Sequence, residues 1–191
     1  MQRISMAVLA LALGSVALTA YAGPSGEVIE YGYYQPTGDL ERERDYNTAT
    51  GYVLTGSAVK LVEQTDNIPM ALGRLFGFKF RMRGFPRDEV AVNLELVVSH
   101  PQMTRPNGTH ISGYRFPVTL DLRGGKVESQ TGYKFDNEYE MVAGDWKFEY
   151  FLGNTLLLEK TFHVVEPPLQ ADESQVLQSK AGAEVADAVK Q

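Results

Sequence analysis

An all-β sandwich or barrel of about eight short strands is the fold class this sequence predicts. Apolar and polar residues alternate at period 2 in segment after segment. Gly, Pro, Asn and Asp clusters recur between these segments at the regular spacing of such folds. No segment before residue 169 sustains a helical period, and no internal repeat is present.

The chain opens with MQRISMAVLALALGSVALTAYAG, which reads as a secretory signal peptide over residues 1–22. Arg3 is its positive end, Ile4 to Ala17 its apolar stretch, and Ala20-Tyr21-Ala22 puts small residues at −3 and −1 of a cut before Gly23. The apolar run is short of the roughly 20 residues of a membrane span, so no transmembrane segment is expected in the mature chain. Without a cysteine at the cut, lipid attachment is excluded as well.

The strands follow in order. EVIEYGYY (27–34) aligns Ile29, Tyr31 and Tyr33 on one face. GDLERERDYNTAT, with Glu41, Arg42, Glu43 and Arg44 alternating in sign, reads as a solvated loop. GYVLTGSAVKLVEQ (51–64) is one bent strand or two short ones broken at Gly56-Ser57. TDNIPMALG (65–73) is turn-rich, and Pro69 bars a continuous central strand there. RLFGFKFRMRG (74–84) is the clearest strand, with Phe76, Phe78, Phe80 and Met82 opposite Lys79, Arg81 and Arg83. Across a Gly/Pro turn, EVAVNLELVV (89–98) is expected to complete a hairpin with it. SHPQMTRPNGTH is expected as a loop. In ISGYRFPVTLDL (111–122), Pro117 marks an edge strand or a bulge. KVESQTGYKF follows as a further strand, and EYEMVAGDW leads into the last hairpin.

Composition narrows the function. Cysteine is absent, so an exported domain must be held by its core alone, and residues 27–166 are enough for one such domain. Arg3 is the only one of 18 Lys and Arg in the first 22 residues, while all 24 Asp and Glu lie beyond it, so the mature chain carries −7. That acidity argues against nucleic acid as a partner. With three histidines and no cysteine, neither a redox centre nor a structural zinc site is expected, and no cofactor is assigned.

The closing segment GDWKFEYFLGNTLLLEKTFHVV places Trp146, Phe148 and Tyr150 on one face, turns at Gly153-Asn154, and returns with Leu156, Leu158, Phe162 and Val164. Trp146 therefore has the spacing of a core residue rather than a ligand platform. Lys160 falls on the apolar face, which predicts a bulge near it or exposure at a strand edge. Together with LVEQTDNIPMALGRLFGFKFRMRG and SHPQM, the segment EMVAGDWKFEYFLGNTLLLEKTFHVV resembles a bacterial family of exported immunoglobulin-like domains of unknown function. The first strand EVIEYGYYQPTG fits the same family. The resemblance covers about residues 27–166 and implies an immunoglobulin-like antiparallel β-sandwich in the periplasm or outside the cell. It implies no activity. The tail 167–191, rich in Ala, Gln, Ser, Asp and Lys, reads as weakly helical or disordered.

Candidate sites lie on three segments. Lys79, Arg81 and Arg83, extended by Arg74 and Arg87, form a basic ridge suited to an anionic surface, or a solvated face paired with Glu89 and Glu95 across the hairpin. Gln64, Thr65 and Asp66 form a polar knot that can bind a ligand or cap the local backbone. His100, Met103 and His110 combine imidazole and thioether in a way that suits copper. Asn107-Gly108-Thr109 matches a glycosylation triplet and also makes a tight turn. Asp136, Glu138 and Glu140, spaced by two, read as an exposed strand face. No nucleophile elbow or phosphate-binding glycine loop is present, so no catalytic residue is nominated. The expectation is an exported, non-enzymatic binding module whose partner is an envelope protein or an anionic ligand. A periplasmic copper-binding protein is the alternative, and an enzyme acting on envelope material the second alternative.

Overall fold

The computed structural model describes residues 23–38, 41–44, 52–55 and 59–167. The leader at 1–22 and the tail after Pro167 lie outside the described residues. Eleven strands are described. One sheet has the order β4 (Val59–Glu63), β1 (Ser25–Pro36), β6 (Leu75–Arg83), β9 (Lys126–Lys134). The other has the order β5 (Asn67–Pro69), β11 (Thr155–Val165), β10 (Gly144–Leu152), β7 (Ala91–Thr104), β8 (His110–Asp121). All pairs are antiparallel except β5 with β11. The two sheets form an immunoglobulin-like sandwich. A separate ribbon pairs β2 (Glu41–Arg44) with β3 (Tyr52–Thr55), so Glu41–Arg44, expected in a charged loop, is one strand of a pair, whose partner comes from the segment expected as strand.

The core is where the alternation puts it. Phe76, Phe78, Phe80 and Met82 of β6 meet Trp146, Phe148 and Tyr150 of β10 and Phe162 and Val164 of β11, all buried. Trp146 is fully buried, and its Nε1–H donates to Val142 O at 3.2 Å. The Phe76 and Phe135 rings meet it edge-on, both at 5.6 Å. Aromatic contacts of this kind contribute about 0.5–1.5 kcal/mol each beyond area burial.

Pairing differs from expectation at one central point. β6 and β7 do not form a hairpin; they lie in different sheets. Each carries an apolar face, and both faces are buried in the shared core. The connection Gly84–Val90 bridges the gap of about 10 Å between stacked sheets, which a tight turn cannot span. β7 also runs on to Thr104, with an irregularity between Ser99 and Met103, where a loop was expected.

Bulges shift the alternation elsewhere. The pairing of β1 with β6 passes over Ile29, leaving it 43% exposed, so Val28, Tyr31 and Tyr33 pack on the core. In the last hairpin the extra residue is Leu157, between Tyr150–Leu158 and Phe151–Leu156. Lys160 lies in regular register opposite Phe148, three residues past that bulge, and its side chain is only 15% exposed, so the bulge does not turn it out to solvent and the expected edge exposure is wrong. Pro117 does sit in an edge strand, β8.

Candidate functional site

Three connections converge at one end of the sandwich: residues 70–74 before β6, the tip of the β7–β8 hairpin at 105–109, and residues 135–143 between β9 and β10. The first and third are tied by Gly73 N–H to Phe135 O at 2.7 Å and Phe135 N–H to Arg74 O at 3.0 Å. The hairpin tip is closed by Asn107 Oδ1, which accepts from the Thr109 N–H at 3.0 Å and its hydroxyl at 2.7 Å. This is the turn-making role that the Asn-Gly-Thr sequence allowed.

The third connection is held from inside. Glu140 closes a 3-10 turn, Glu138–Glu140, and is fully buried. Its carboxylate accepts the Asp136 N–H at 3.0 Å and a short hydrogen bond from Asn137 Nδ2. Asp136 is paired with Lys134. The expected exposed acidic face is therefore wrong at Glu140: a strand and a 3-10 turn both permit spacing of two, and here the turn points the third carboxylate inward. The Asn-x-x-Glu spacing of Asn137 and Glu140 was the available signal, because a capping pair has that separation. Burial first, and then the Glu140 charge, raise the Tyr133 and Tyr139 hydroxyls above the usual tyrosine range.

Between the connections lies an open depression of about 490 Å³ lined by Leu72, Pro106, Asp136, Asn137, Glu138 and Tyr139. Leu72 is 60% exposed. The surface offers apolar contact, an amide and carboxylates. Loops on a fixed scaffold are where binding residues concentrate.

The residues singled out from sequence lie elsewhere. Lys79, Arg81 and Arg83 project from the outer face of the first sheet, flanked by β1 and β9 rather than by the expected Glu89 and Glu95. Lys79 Nζ is 2.8 Å from Glu30, and Arg81 lies between Glu128 at 2.6 Å and Glu27 at 3.5 Å. Arg83 is in register with Ser25 and Lys126, leaving two adjacent cations. Glu95 instead meets Arg115 across β7–β8 at 3.1 Å. Arg74 leaves the ridge to cover the Tyr33 ring at 4.4 Å.

On that same outer face Gly32, Gly77 and Gly132 stand side by side in register. A Cβ on Gly77 would lie 2.1 Å from Thr131 O and 2.5 Å from Gly132 Cα, so the neighbouring backbone occupies that space. At Gly32 the Glu63 carbonyl fills that space, 1.9 Å from where a Cβ would stand. Buried Tyr34 has its hydroxyl beside Glu30.

Of the polar knot, Thr65 Oγ1 accepts the Asn67 N–H at 3.1 Å, and Asp66 O accepts the His163 N–H at 2.7 Å. The Asp66 carboxylate pairs with Lys160, whose Nζ stands 3.7 Å above the Tyr31 ring. Gln64 is exposed. His100 is buried, stacked on Trp146 at 4.8 Å, with Nδ1 2.8 Å from Pro101 O. Met103 is fully buried in the core, whereas His110 is exposed and bonded through Nδ1 to Thr104 at 3.1 Å. The structure thus separates these three into core and surface. Among the described residues no group of three His, Cys, Asp or Glu is placed to hold a metal ion.

A family model described as a domain of unknown function, DUF3859, matches residues 24–164. The chain belongs to that family. The DUF3859 domain is similar to an immunoglobulin-like protein of Pseudomonas aeruginosa, at 24% identity over 76% of this chain and 99% of that one, with a TM-score of 0.50. That likeness bears on the fold alone. A Pseudomonas fluorescens alkylpurine DNA glycosylase, AlkC, solved with DNA containing an abasic site analog, matches at 12% identity over 52% of this chain and 27% of that one. Its TM-score of 0.33 is too low to carry any argument. The sequence matches none of the curated proteins. Among the described residues no helix is long and apolar enough to cross a membrane.

Proposed function

We propose that this DUF3859 domain is an exported, non-enzymatic interaction module of the bacterial cell envelope, and that it holds a protein partner at its loop-bearing end. The observation that carries the reading is the depression between Leu72, Pro106 and Tyr139, whose floor is fixed by buried Glu140. Export is supported by the leader-like first 22 residues. A protein segment with apolar and cationic side chains suits this surface better than an anionic ligand, because Leu72, Tyr139 and the carboxylate of Glu138 line it. The outer-face ridge is a weaker candidate for anions, since Lys79 and Arg81 already meet carboxylates there.

Site-specific photo-crosslinking in the native envelope tests this. Probes at Leu72 and Glu138 should trap one discrete partner, and a probe at exposed Val90, beyond the other end of β6, should not. Equal trapping at all three positions, or at none, would remove the loop end as the binding face.

A further inference from the structure

His100 is the one histidine that the core encloses, and its surroundings suit the neutral ring. Its Nδ1 lies 2.8 Å from Pro101 O, and a carbonyl only accepts, so the proton of the neutral imidazole sits on Nδ1. That leaves Nε2 as a lone pair, buried and without a hydrogen-bond partner among the described residues. A proton added there would be a donor with no acceptor on a charged ring, which burial penalises. The neighbours of the ring bring it no counter-charge. β10 gives it Trp146, stacked at 4.8 Å, and β8 gives it Tyr114 at 6.4 Å. From the hairpin tip, Arg105 adds a charge of the same sign. In the 3-10 turn, Glu140 bears on Tyr114 and Tyr133, and its oxygens already hold the Asp136 N–H and the Asn137 amide.

The backbone can yield at this point. Residues 100–102 have no register partner on either side: the β8 pairing skips from Ser99–Gly113 to Met103–Ile111, and the β10 pairing stops at Ser99–Lys147. Yet the loop end leans on them. Pro101 Cγ stands 2.7 Å from where a Cβ on Gly144 would be, so the proline packs on the end of the 135–143 connection. Trp146, stacked on the His100 ring, holds that connection too, through its Nε1–H to Val142 O.

We infer that His100 is a proton-operated latch on the loop-bearing end: on taking up a proton the ring swings off Trp146 to reach water, and the hairpin tip and the 135–143 connection loosen while the two sheets stay packed. The sign follows from burial. In the open form the ring stands in water and takes up a proton more readily than in the closed form, where burial lowers its pKa, so acid favours opening. Pro106 lies on the hairpin tip and Tyr139 on the connection, so opening takes apart the depression between them. Release of a partner in acid, the consequence of that step, rests on the function proposed for the depression; the latch itself does not.

Trp146 is the only tryptophan, so its fluorescence reports directly on the ring stacked against it. In the purified protein with no partner added, emission should move reversibly to longer wavelength between pH 7 and 5, and His100→Leu should abolish the change. Hydrogen-exchange protection, corrected for the intrinsic pH dependence of exchange, should fall about tenfold over the same range in residues 104–109 and 135–143 and hold in β6. His100→Phe, which keeps an aromatic ring against Trp146, serves if His100→Leu fails to fold, and circular dichroism checks both. An emission change that survives in a folded variant overturns the latch. So does a change in emission without loss of loop protection, a loss spread over both sheets, or no response to acid in the wild type. Because no partner is present, this result stands apart from the crosslinking that tests the depression.

Discussion

The ammonium of Lys160, on the core-facing side of β11, ends on the carboxylate of Asp66 in the turn before β5, with the Tyr31 ring 3.7 Å from the same nitrogen. The pair joins segments 94 residues apart and closes the seam where β1, β5 and β11 meet. Removing Asp66 leaves a cation that is only 15% exposed without its counter-charge. Asp66→Ala should therefore cost about 1–3 kcal/mol in urea denaturation. Lys160→Met keeps the packing without the charge and should cost less. If Lys160→Met proves the more damaging of the two, the pair is not what holds the seam.

Gly77→Ala should destabilise the fold by about 1–3 kcal/mol, because the new methyl group lies within 2.1 Å of Thr131 O and the β6–β9 ladder must shift to admit it. Gly73→Ala serves as the comparison, since no atom lies within 4 Å of its Cβ position, although its positive φ adds strain. Differential scanning calorimetry should show the larger loss at Gly77.

Glu140→Ala strands the Asp136 N–H and the Asn137 amide and should cost about 1–3 kcal/mol. The loss should be local before it is global. Hydrogen exchange should quicken in residues 135–143 while β6 and β10 stay protected. Uniform quickening across the sandwich would contradict this.

Burial, opposed by the hydrogen bond to Pro101 O and reinforced by the Arg105 charge, lowers the His100 pKa below 6.5. The folded state therefore binds fewer protons at this site than the unfolded chain does. The site leaves stability unchanged while pH is well above 6.5. It subtracts from stability as pH falls through the unfolded value and levels off below the folded one. His100→Leu should flatten the chemical-denaturation free energy between pH 7 and 5; a slope unchanged by the substitution would show that another group sets it.

Copper or zinc should leave the melting temperature unchanged, because Met103 lies in the core, His110 on the surface, and His100 Nδ1 is already bonded to Pro101 O. A rise abolished by His100→Ala would show that these residues can regroup around a metal.

The parts of the fold legible in the sequence are those that a local pattern reports. Period 2 in β6 and β10 announced which side chains face inward, Trp146 among them, and Pro117 announced an edge or a bulge; in β11 the alternation failed at Leu156, which is exposed while Leu157 is buried. Alternation does not say which strand lies alongside. For that reason β6 and β7, both apolar on one face, were paired in expectation although they occupy different sheets. The same gap hid the fate of Lys79 and Arg81 in the basic ridge, since Glu27, Glu30 and Glu128 pair with them from strands distant in sequence. Bulges at Ile29 and Leu157 each displace the alternation by one residue, which no count of apolar positions foresees. Of the loop-end site, the acidic run was visible, but its inward carboxylate depends on a single turn of 3-10 geometry.

The run from β4 to β5 has a mechanical consequence. Within the three residues Gln64 to Asp66 the chain leaves the edge of one sheet and joins the edge of the other, parallel to β11. A force drawing the C-terminal end of β11 out of the domain would act along its ladder with β5, so His163–Asn67, Val164–Ile68 and Val165–Pro69 would resist together rather than one after another. Because the same segment is anchored in the opposite sheet through β4, such a tug would be shared by both layers. That makes the β5–β11 ladder a shear clamp between the two layers.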